Sequence, residues 1–510
     1  MFQRRTVPLC AGLCLAWALI NSPAALAQDS KSPMPSAAAS SFSPFVVWAL
    51  MAGCLTLLVP GGLALVAGGL GRPKNSAHLF AVNLMIVPLA GCAIFLYGFA
   101  LGWGNLAGGL APPGWSAGLD SDMNLLNHGV GIGSDPNAPD ISTNGLLGTK
   151  GFGLAGLNSP AVLAFFFLMA ALLIVAAAIP TGAMAERWAW RNFVLYSFWV
   201  IVPLALFANW MWGGGWLAQM GKNWNLGHGA VDFAGSGVIH AMGAVIGLAG
   251  TICMGPRLGK FVNRRPRAMP GHSIPFVIIG TLILLFAWFG MTAGATLAGT
   301  DLSLSSVFVN TALGGFGGAV GAMFYLMFTV KKPDPTLMCN GLVSGLVAIS
   351  AACAFVEPWA ALAIGAIGGV LVIISVLFWD KVGIDDPVGA ISMHGVAGLW
   401  GVIAVGLFAT GKFGAGWNGV ARDDYAKLPG GVDGVRGLFY GDGGQLVAQL
   451  LEAGVLLVFG FIAAYGLFKL SALVTPLRVS RDAELQGLDG SEMGTLAYPD
   501  FALKSGILDA

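Results

Sequence analysis

The stretch Asp232-Phe-Ala-Gly-Ser-Gly-Val-Ile-His240 returns 154 residues later as Asp386-Pro-Val-Gly-Ala-Ile-Ser-Met-His394. In both copies a glycine follows the aspartate by three positions and another follows the histidine by seven, at Gly247 and Gly401. Both stretches lie in apolar surroundings, where an ionisable residue is costly and by default marks a path for substrate or protons. The repeat therefore predicts an internally duplicated transporter or channel whose halves each give one histidine to a central pore.

Composition places the chain in a membrane. It has 510 residues, of which 56% are hydrophobic and 10% charged, with 76 glycines and 16 tryptophans. A soluble domain is about 25% charged. The net charge of +1 argues against a nucleic-acid partner, which would require a basic surface. These values favour one polytopic domain in a lipid bilayer.

Residues 1–27 resemble a secretory signal. Arg4 and Arg5 precede a short apolar run, and Ala25-Leu-Ala27 supplies a small-residue cleavage pattern. The alternative is a first membrane helix, but the apolar run is short and Asn21-Ser-Pro23 ends it. Cleavage would leave residues 28–44 as an extracytoplasmic segment, periplasmic in a bacterial inner membrane.

Eleven further apolar runs have lengths near the twenty residues that span a bilayer as a helix. They lie at about 45–70, 78–102, 161–184, 193–215, 232–254, 273–297, 304–329, 337–354, 358–379, 387–409 and 445–470. The prediction is an all-α multi-pass membrane domain over 45–473, built from an inverted five-helix repeat plus a final helix. Residues 474–510 would form a cytoplasmic tail.

The distribution of positive charge tests this topology. With the mature N-terminus outside, the connections and the tail predicted in the cytoplasm carry sixteen Lys and Arg residues, against seven outside. Cytoplasmic loops are enriched in Lys and Arg, so the charges agree. The fifth and tenth helices then run in opposite directions. Eight residues carry each histidine about 12 Å inward, to the middle of the membrane.

The polar residues of the repeat have several interpretations. Asp232 and Asp386 are interpreted mainly as structural helix caps, because Asp accepts hydrogen bonds from the first free N–H groups of a helix. A single buried histidine often only bonds a neighbouring helix, but two at equivalent positions favour a shared site. An intramembrane enzyme with His240 and His394 as metal ligands lacks a third ligand or an H-E-x-x-H spacing. No enzyme activity, metal or cofactor is expected.

Several stretches resemble the ammonium transporter (Amt/Mep/Rh) family, and the resemblance covers nearly the whole mature chain. Besides the two histidine motifs, they are Pro60-Gly-Gly-Leu-Ala-Leu-Val-Ala-Gly-Gly-Leu70, Gly182-Ala-Met-Ala-Glu-Arg187, Gly255-Pro-Arg257, Asn340-Gly-Leu-Val-Ser-Gly-Leu-Val-Ala348 and, in the tail, Gly487-Leu-Asp489 and Ala497-Tyr-Pro-Asp-Phe501. The motifs are specific in combination. The chain is identified from them as a divergent bacterial member.

This resemblance implies a homotrimer with one pore per subunit. Ammonium would be recruited at an outer site, deprotonated there, and passed through a narrow apolar pore beside His240 and His394. Trp212 matches the aromatic residue of the outer site, and Trp is the best side chain for cation–π attraction. The tail would be able to bind the trimeric nitrogen-regulatory signal protein that blocks such pores; the alternative is a merely solvated terminus.

The chain departs from the family pattern at the outer gate. Leu172 and Met291 stand where the family usually has phenylalanines, Thr292 stands for an asparagine, and Ala295 stands for a hydroxyl ligand of the recruitment site. A shifted alignment would place a phenylalanine from Phe165–Phe167 at the position of Leu172. The motif around Glu186, from which this position is counted, shows no gap, which argues against such a shift. The gate would then be apolar but not aromatic, and recruitment would depend chiefly on Trp212. The sequence thus favours ammonium transport with an altered gate. The alternative is an ammonium-sensing receptor of the same fold.

Overall fold

A computed structural model describes residues 44–104, 129–131, 134–135, 138–142, 145–297, 303–415, 417–420 and 434–499. The predicted signal peptide at 1–27, nearly all of the segment at 28–44 and the end of the tail lie outside these residues. The described chain is dominated by long apolar helices. The longest, Gly443–Val474, has 32 residues.

Eleven helices make up the membrane domain, and we label them α1 to α11 in chain order. Their bounds are α1 Pro44–Leu70, α2 Pro73–Trp103, α3 Pro160–Ala183, α4 Trp190–Trp212, α5 Ser236–Met254, α6 Ile274–Gly294, α7 Ser303–Thr329, α8 Pro335–Ser350, α9 Pro358–Val382, α10 Ile391–Phe408 and α11 Gly443–Val474. Three small antiparallel ribbons lie between helices: Gly129–Gly131 with Gly145–Gly148, Ser134–Asp135 with Ala138–Ser142, and Phe261–Val262 with Arg265–Pro266.

Each predicted apolar run overlaps one of these helices, and the membrane class is confirmed. Ten of the described helices are long and apolar enough to cross a bilayer, whereas α8 has 16 residues. At 1.5 Å per residue, α8 is about 24 Å long, shorter than a hydrocarbon core of about 30 Å. The described residues therefore contain ten helices of spanning length, and the expected count of eleven is not confirmed.

The short α8 ends where it meets the segment that leads into α5. The backbone N–H groups of Phe233 and Ala234 donate to the carbonyls of Ala351 and Ser350, at 3.3 and 3.1 Å. The hydroxyl of Ser236 accepts from the N–H of Ala351 at 2.7 Å. The last carbonyls of a helix have no partner within it. At this junction the N–H groups before α5 form hydrogen bonds with the carbonyls at the end of α8. Helix α8 can therefore end, and α5 can begin, inside the protein.

Short polar side chains mark the starts of four helices. Ser159 and Ser273 each accept from a backbone N–H three residues on, at 3.4 Å, ahead of α3 and α6. Asp334 and Asp442 accept from N–H groups at 2.8 to 3.2 Å, ahead of α8 and α11. These residue types at the N-cap satisfy amides that the helix leaves free.

Helices α7, α8 and α9 pack backbone to backbone along a stripe of glycines. A methyl group placed on Gly365 would lie 1.9 Å from the carbonyl oxygen of Gly314, and one on Gly318 would lie 2.2 Å from that of Gly341. Small residues allow such approach, and membrane helices associate through it because lipid supplies no hydrophobic force between them. Many of the glycines of the chain therefore serve packing.

A buried ionic cluster lies beyond the ends of α3 and α5, on the side that we call the tail face because the C-terminal segment covers it. Glu186 is fully buried and accepts from Arg72 and Asn75, at 2.7 to 3.0 Å, as well as from Arg257. Its φ of 68° is unusual for a residue with a side chain. Burial would raise the pKa of Glu186, but the charges and hydrogen bonds of Arg257 and Arg72 outweigh it and lower the pKa to about 2.

The same arginine joins this cluster to the loop before α10. Arg257 donates to both carboxylate oxygens of Asp385 at 2.9 Å. Burial opposes ionisation of Asp385, yet the hydrogen bonds and charge of Arg257 lower its pKa to about 2. Arg187 donates to the backbone oxygens of Gly255, Ala185 and Asp385, at 2.9 to 3.0 Å. One cluster thus ties together the ends of both halves of the repeat.

The C-terminal segment is docked against this cluster. Glu484 accepts from Arg478 at 2.7 Å and from the N–H of Leu258 at 2.6 Å. Further contacts fasten the segment to α2, α4 and the start of α6. They are hydrogen bonds that join Lys74 to the backbone carbonyl of Glu484, Asn75 to the N–H of Leu488, Asp489 to the N–H of His78, Glu492 to the N–H of Trp190, and Tyr498 to His272. The part of the tail that the structure describes is therefore an ordered element.

We expect Glu186→Gln to lower the free energy of unfolding by about 3 kcal/mol, because it removes one charge from a buried network. The lowered pKa means that Glu186 stabilises the fold at pH values above the ordinary carboxyl range, and this stability is lost as the pH falls toward about 2. Thermal unfolding of the purified protein between pH 7 and pH 3 measures both effects.

Glu357→Gln is the matched control for this change, because Glu357 is partly exposed and pairs with the exposed Lys412. Exposed ion pairs contribute little to stability. A loss of stability in the control as large as that in Glu186→Gln would contradict the importance of the buried cluster.

Candidate functional site

The two histidines of the repeat lie side by side inside the protein. Their Nδ1 atoms are 3.2 Å apart, and the ring centroids are 5.2 Å apart with the planes inclined by 22°. His240 is 0% and His394 is 2% exposed. The structure therefore brings together the two side chains that the sequence pattern singles out.

The contact between the two Nδ1 atoms restricts which nitrogen of each ring carries a proton. A hydrogen bond between two Nδ1 atoms needs one donor and one acceptor, so in the neutral pair one ring is protonated at Nδ1 and the other at Nε2. The Nε2 of His240 has no hydrogen-bond partner within the described residues. The pair can therefore offer one nitrogen that donates and one that accepts. A small neutral amine can form hydrogen bonds with either.

Trp288 on α6 supports the pair from one side. Its ring lies parallel to that of His240, with centroids 4.8 Å apart and planes inclined by 14°. Its indole N–H donates to the hydroxyl of Ser350 at 2.9 Å, and that hydroxyl donates to the carbonyl of Leu346. Sequence reasoning assigned no role to Trp288.

Both histidines sit in a wider helical turn at the start of their helix. These turns cover Ser236–Ala241 on α5 and Ile391–Val396 on α10. Each follows a glycine with positive φ, 95° at Gly235 and 79° at Gly389. The N–H of His240 donates to the carbonyl of Gly235, five residues back, at 3.0 Å. Such turns occur often at functional sites.

The two aspartates of the motif accept from the N–H groups of these turns. The carboxylate of Asp232 accepts from Gly235, Gly237 and Val238 at 2.8 to 2.9 Å. That of Asp386 accepts at 2.8 and 3.3 Å from the first two N–H groups of α10. Each aspartate therefore holds the turn that carries its histidine.

A ladder of side chains on α11 fixes the segment before α5. The amides of Gln445 and Gln449 exchange hydrogen bonds with the backbone of residues 228–231, at 2.8 to 2.9 Å. Gln449 also donates to Glu452 at 3.1 Å. These side chains satisfy backbone groups that no sheet or helix satisfies. Sequence reasoning missed the ladder, whose signal is the spacing of four and three residues between polar groups on an apolar helix.

Trp212 ends α4 beside the Asp232 segment. Its indole N–H donates to the carbonyl oxygen of Asp232 at 2.7 Å, and its ring is only partly buried. The indole is thus anchored through its nitrogen while part of the ring is accessible. Such a ring face is suited to attract a cation.

Leu172 and Met291, the predicted gate positions, are 2% and 0% exposed and belong to the main hydrophobic core. Thr292 donates to the carbonyl of Trp288 at 3.1 Å and accepts from Thr311 at 3.0 Å. Phe165 packs edge-on against Trp103, at 6.1 Å between centroids. Leu172 and Met291 are therefore buried among apolar side chains.

Two cavities lie between the histidines and the tail face. The smaller one, about 20 Å³, is lined by His394 and by the hydrogen-bonded pair Asn83 and Thr181. It has room for about one water-sized molecule. The larger one, about 160 Å³, is lined by Arg257 and Asp386 among others, and Val388 borders both. One cavity thus borders the imidazole pair, and the other borders the ionic cluster of the tail face.

Comparison with known proteins identifies the family. The family model described as "Ammonium Transporter Family" matches residues 47–498. The chain belongs to this family. It is 38% identical over 460 residues to the Ammonium transporter Amt2 of Archaeoglobus fulgidus, covering 89% of this chain and 88% of that protein. It is 32% identical to the Ammonium transporter of Bacillus subtilis, over 88% of this chain and 96% of that one.

Solved structures show the same fold. A structure titled "Sensor Amt Protein" superposes with a TM-score of 0.71 at 27% identity, covering 88% of this chain and 98% of that chain. Candida albicans Mep2 superposes with a TM-score of 0.67 at 23% identity, covering 86% of both chains. The fold is thus that of ammonium transporter family proteins.

We expect Gly235→Ala to lower the free energy of unfolding by about 1–3 kcal/mol, because its φ of 95° suits only glycine and the added methyl would lie 2.5 Å from Ile239. Gly454→Ala is the control, because nothing lies within 4 Å of a methyl group there. Thermal unfolding of the two variants measures the difference. Equal stability would show that the turn before His240 does not require a glycine.

Proposed function

We propose that this protein moves ammonium or ammonia across a cell membrane, through a pore in each subunit that passes the paired histidines. The observation that carries the proposal is the buried His240–His394 contact of 3.2 Å, with one cavity that borders His394 and a second that borders the tail face. A dry passage excludes hydrated ions, while an imidazole pair hydrogen-bonds a neutral amine.

The tail face is the cytoplasmic side in this proposal. The loops and tail on that side carry most of the Lys and Arg residues of the mature chain, as the positive-inside rule requires. A multi-pass inner-membrane protein with a periplasmic mature N-terminus follows, with the signal at 1–27 removed. Family membership supports a homotrimer and the full set of eleven spans, with α8 completed by its junction with α5.

Recruitment begins at Trp212 on the opposite face. The partly accessible indole supplies cation–π attraction, worth about 0.5–2 kcal/mol. Leu172 and Met291 then form an aliphatic outer gate between this site and the histidines. Without aromatic walls, the recruitment site holds ammonium weakly and discriminates poorly against methylammonium.

The docked tail is the site of regulation in this proposal. Because the segment from Arg478 contacts α2, α4 and the loop after α5, a protein bound to it would reach the mouth of the larger cavity. The trimeric nitrogen-regulatory signal protein implied by the family is the proposed partner. Co-purification from cells shocked with ammonium tests this.

An ammonium-sensing receptor with little flux is the second candidate. It is favoured by the likeness to the structure titled "Sensor Amt Protein", at 27% identity over 88% of this chain. The same histidine pair would then bind without conducting. Uptake measurements separate the two functions.

We expect His240→Ala and His394→Ala each to reduce ammonium uptake at least about tenfold, since each leaves the partner imidazole without its hydrogen bond in a buried site. Uptake is measured in a strain that lacks its own ammonium transporters. His272→Ala is the matched control, because that histidine is partly buried and bonds Tyr498 on the tail face. Wild-type protein that is present in the membrane but without uptake would favour the sensor.

Restoring rings at the gate should strengthen recruitment. We expect Leu172→Phe combined with Met291→Phe to lower the half-saturating ammonium concentration by several-fold to about thirty-fold, which corresponds to one or more cation–π contacts. The buried positions impose a packing cost of about 1–3 kcal/mol, so stability is measured in parallel. High affinity and strong selectivity in the unmodified protein would show that other groups already supply the gate.

A further inference from the structure

Glu452 is a carboxyl group that neither the family motifs nor the proposed pore explains. It lies on α11, nine residues after the helix begins, which places it about 13 Å along the helix. Its side chain is 0% exposed. A buried acid at membrane depth is costly and is by default a functional residue.

The hydrogen bonds of Glu452 leave one oxygen without a partner. Oε2 accepts from the amide of Gln449 at 3.1 Å. Oε1 has no hydrogen-bond partner in the described part of the chain. A carboxylate with one amide donor is poorly compensated for burial.

Glu452 instead faces the aspartate that holds the α5 turn. A methyl group on Gly237 would lie 2.5 Å from Oε1 of Glu452 and 3.2 Å from Oδ2 of Asp232. The two carboxyl groups therefore converge on the same point beside the Gly237 backbone. The elements packed against α11 are chiefly α4, α5 and α10. From these elements, Asp232, just before α5, is the carboxyl group that approaches the same glycine as Glu452.

Two carboxylates this close cannot both be charged in a dry site. Asp232 accepts three backbone N–H bonds, which favour its ionised form. Glu452 has the free oxygen that a proton needs. A proton on Oε1 of Glu452 leaves the pair with one negative charge.

We infer that Glu452 and Asp232 bind one proton between them and form a proton-binding site directly behind the recruitment residue Trp212. The indole of Trp212 donates to the backbone oxygen of Asp232 at 2.7 Å, so the two sites share one residue. A cation at the indole stabilises the deprotonated pair, and by linkage ammonium and the proton weaken each other's binding. This second step rests on the proposed function.

Infrared difference spectroscopy of the purified full chain tests the inference through the carbonyl band of a protonated carboxylic acid. We expect the band at neutral pH in the wild type and a weaker band in Glu452→Gln, whose amide keeps the shape of the side chain but cannot hold the proton. Glu357→Gln, at an exposed ion pair, is the control and should retain the band. Absence of the band in the wild type, or a band of undiminished intensity in Glu452→Gln, would overturn the proton site.

Gly237→Ala provides a second variant that keeps both acids but places a methyl group between them. We expect the band to titrate at lower pH there, because the separated carboxyl groups repel each other less. An unchanged titration would show that the acids do not share a proton.

Ammonium chloride, compared with choline chloride, tests the link to recruitment. We expect ammonium to shift the titration of the wild-type band to lower pH and choline to leave it in place. A band that ignores ammonium would overturn the link. The band does not depend on flux, so a protein that shows it without any uptake would contradict the proposed function and support the proton site.

Discussion

Helices that begin inside a membrane protein leave N–H groups that no water can satisfy, and the histidine pair depends on how α5 and α10 meet this constraint. Asp232 and Asp386 each place one carboxylate over the first amides of the turn. The turns are wider than an α-helix and follow glycines, which aims each histidine toward the other. The imidazole contact is thus a consequence of two satisfied helix starts.

The same need for hydrogen-bond partners at helix ends explains the contacts of the neighbouring elements. The free carbonyls at the end of α8 accept hydrogen bonds from the segment before α5. The side-chain amides of Gln445 and Gln449 on α11 form hydrogen bonds with the backbone of residues 228–231. On the tail face, charges replace neutral donors: Arg257 joins Glu186 to Asp385. At these three places, side chains or another helix supply the partners that the helix end lacks.

Much of this architecture could be predicted from the sequence because the signals are local or repeated. The apolar runs located the helices, and the repeated motif paired the histidines and identified the aspartates that precede them. The short α8 could not be predicted, because residues 351–354 are apolar and leave the helix only through contacts with Phe233 and Ser236. Trp288 and Glu452 were missed for a similar reason, since their roles depend on neighbours distant in sequence. The roles of Leu172, Met291 and Trp212 remain predictions.

The two halves of the repeat have diverged in their electrostatic surroundings. Asp232 accepts three amides and faces Glu452 in a dry site, whereas Asp386 accepts two and lines a cavity of about 160 Å³. Oδ1 of Asp386 has no hydrogen-bond partner in the described residues, but this carboxyl group borders a cavity large enough for water, whereas Asp232 lies beside the carboxyl group of Glu452. The same kind of helix start therefore lies in two different surroundings, one beside a cavity and one beside a second acid.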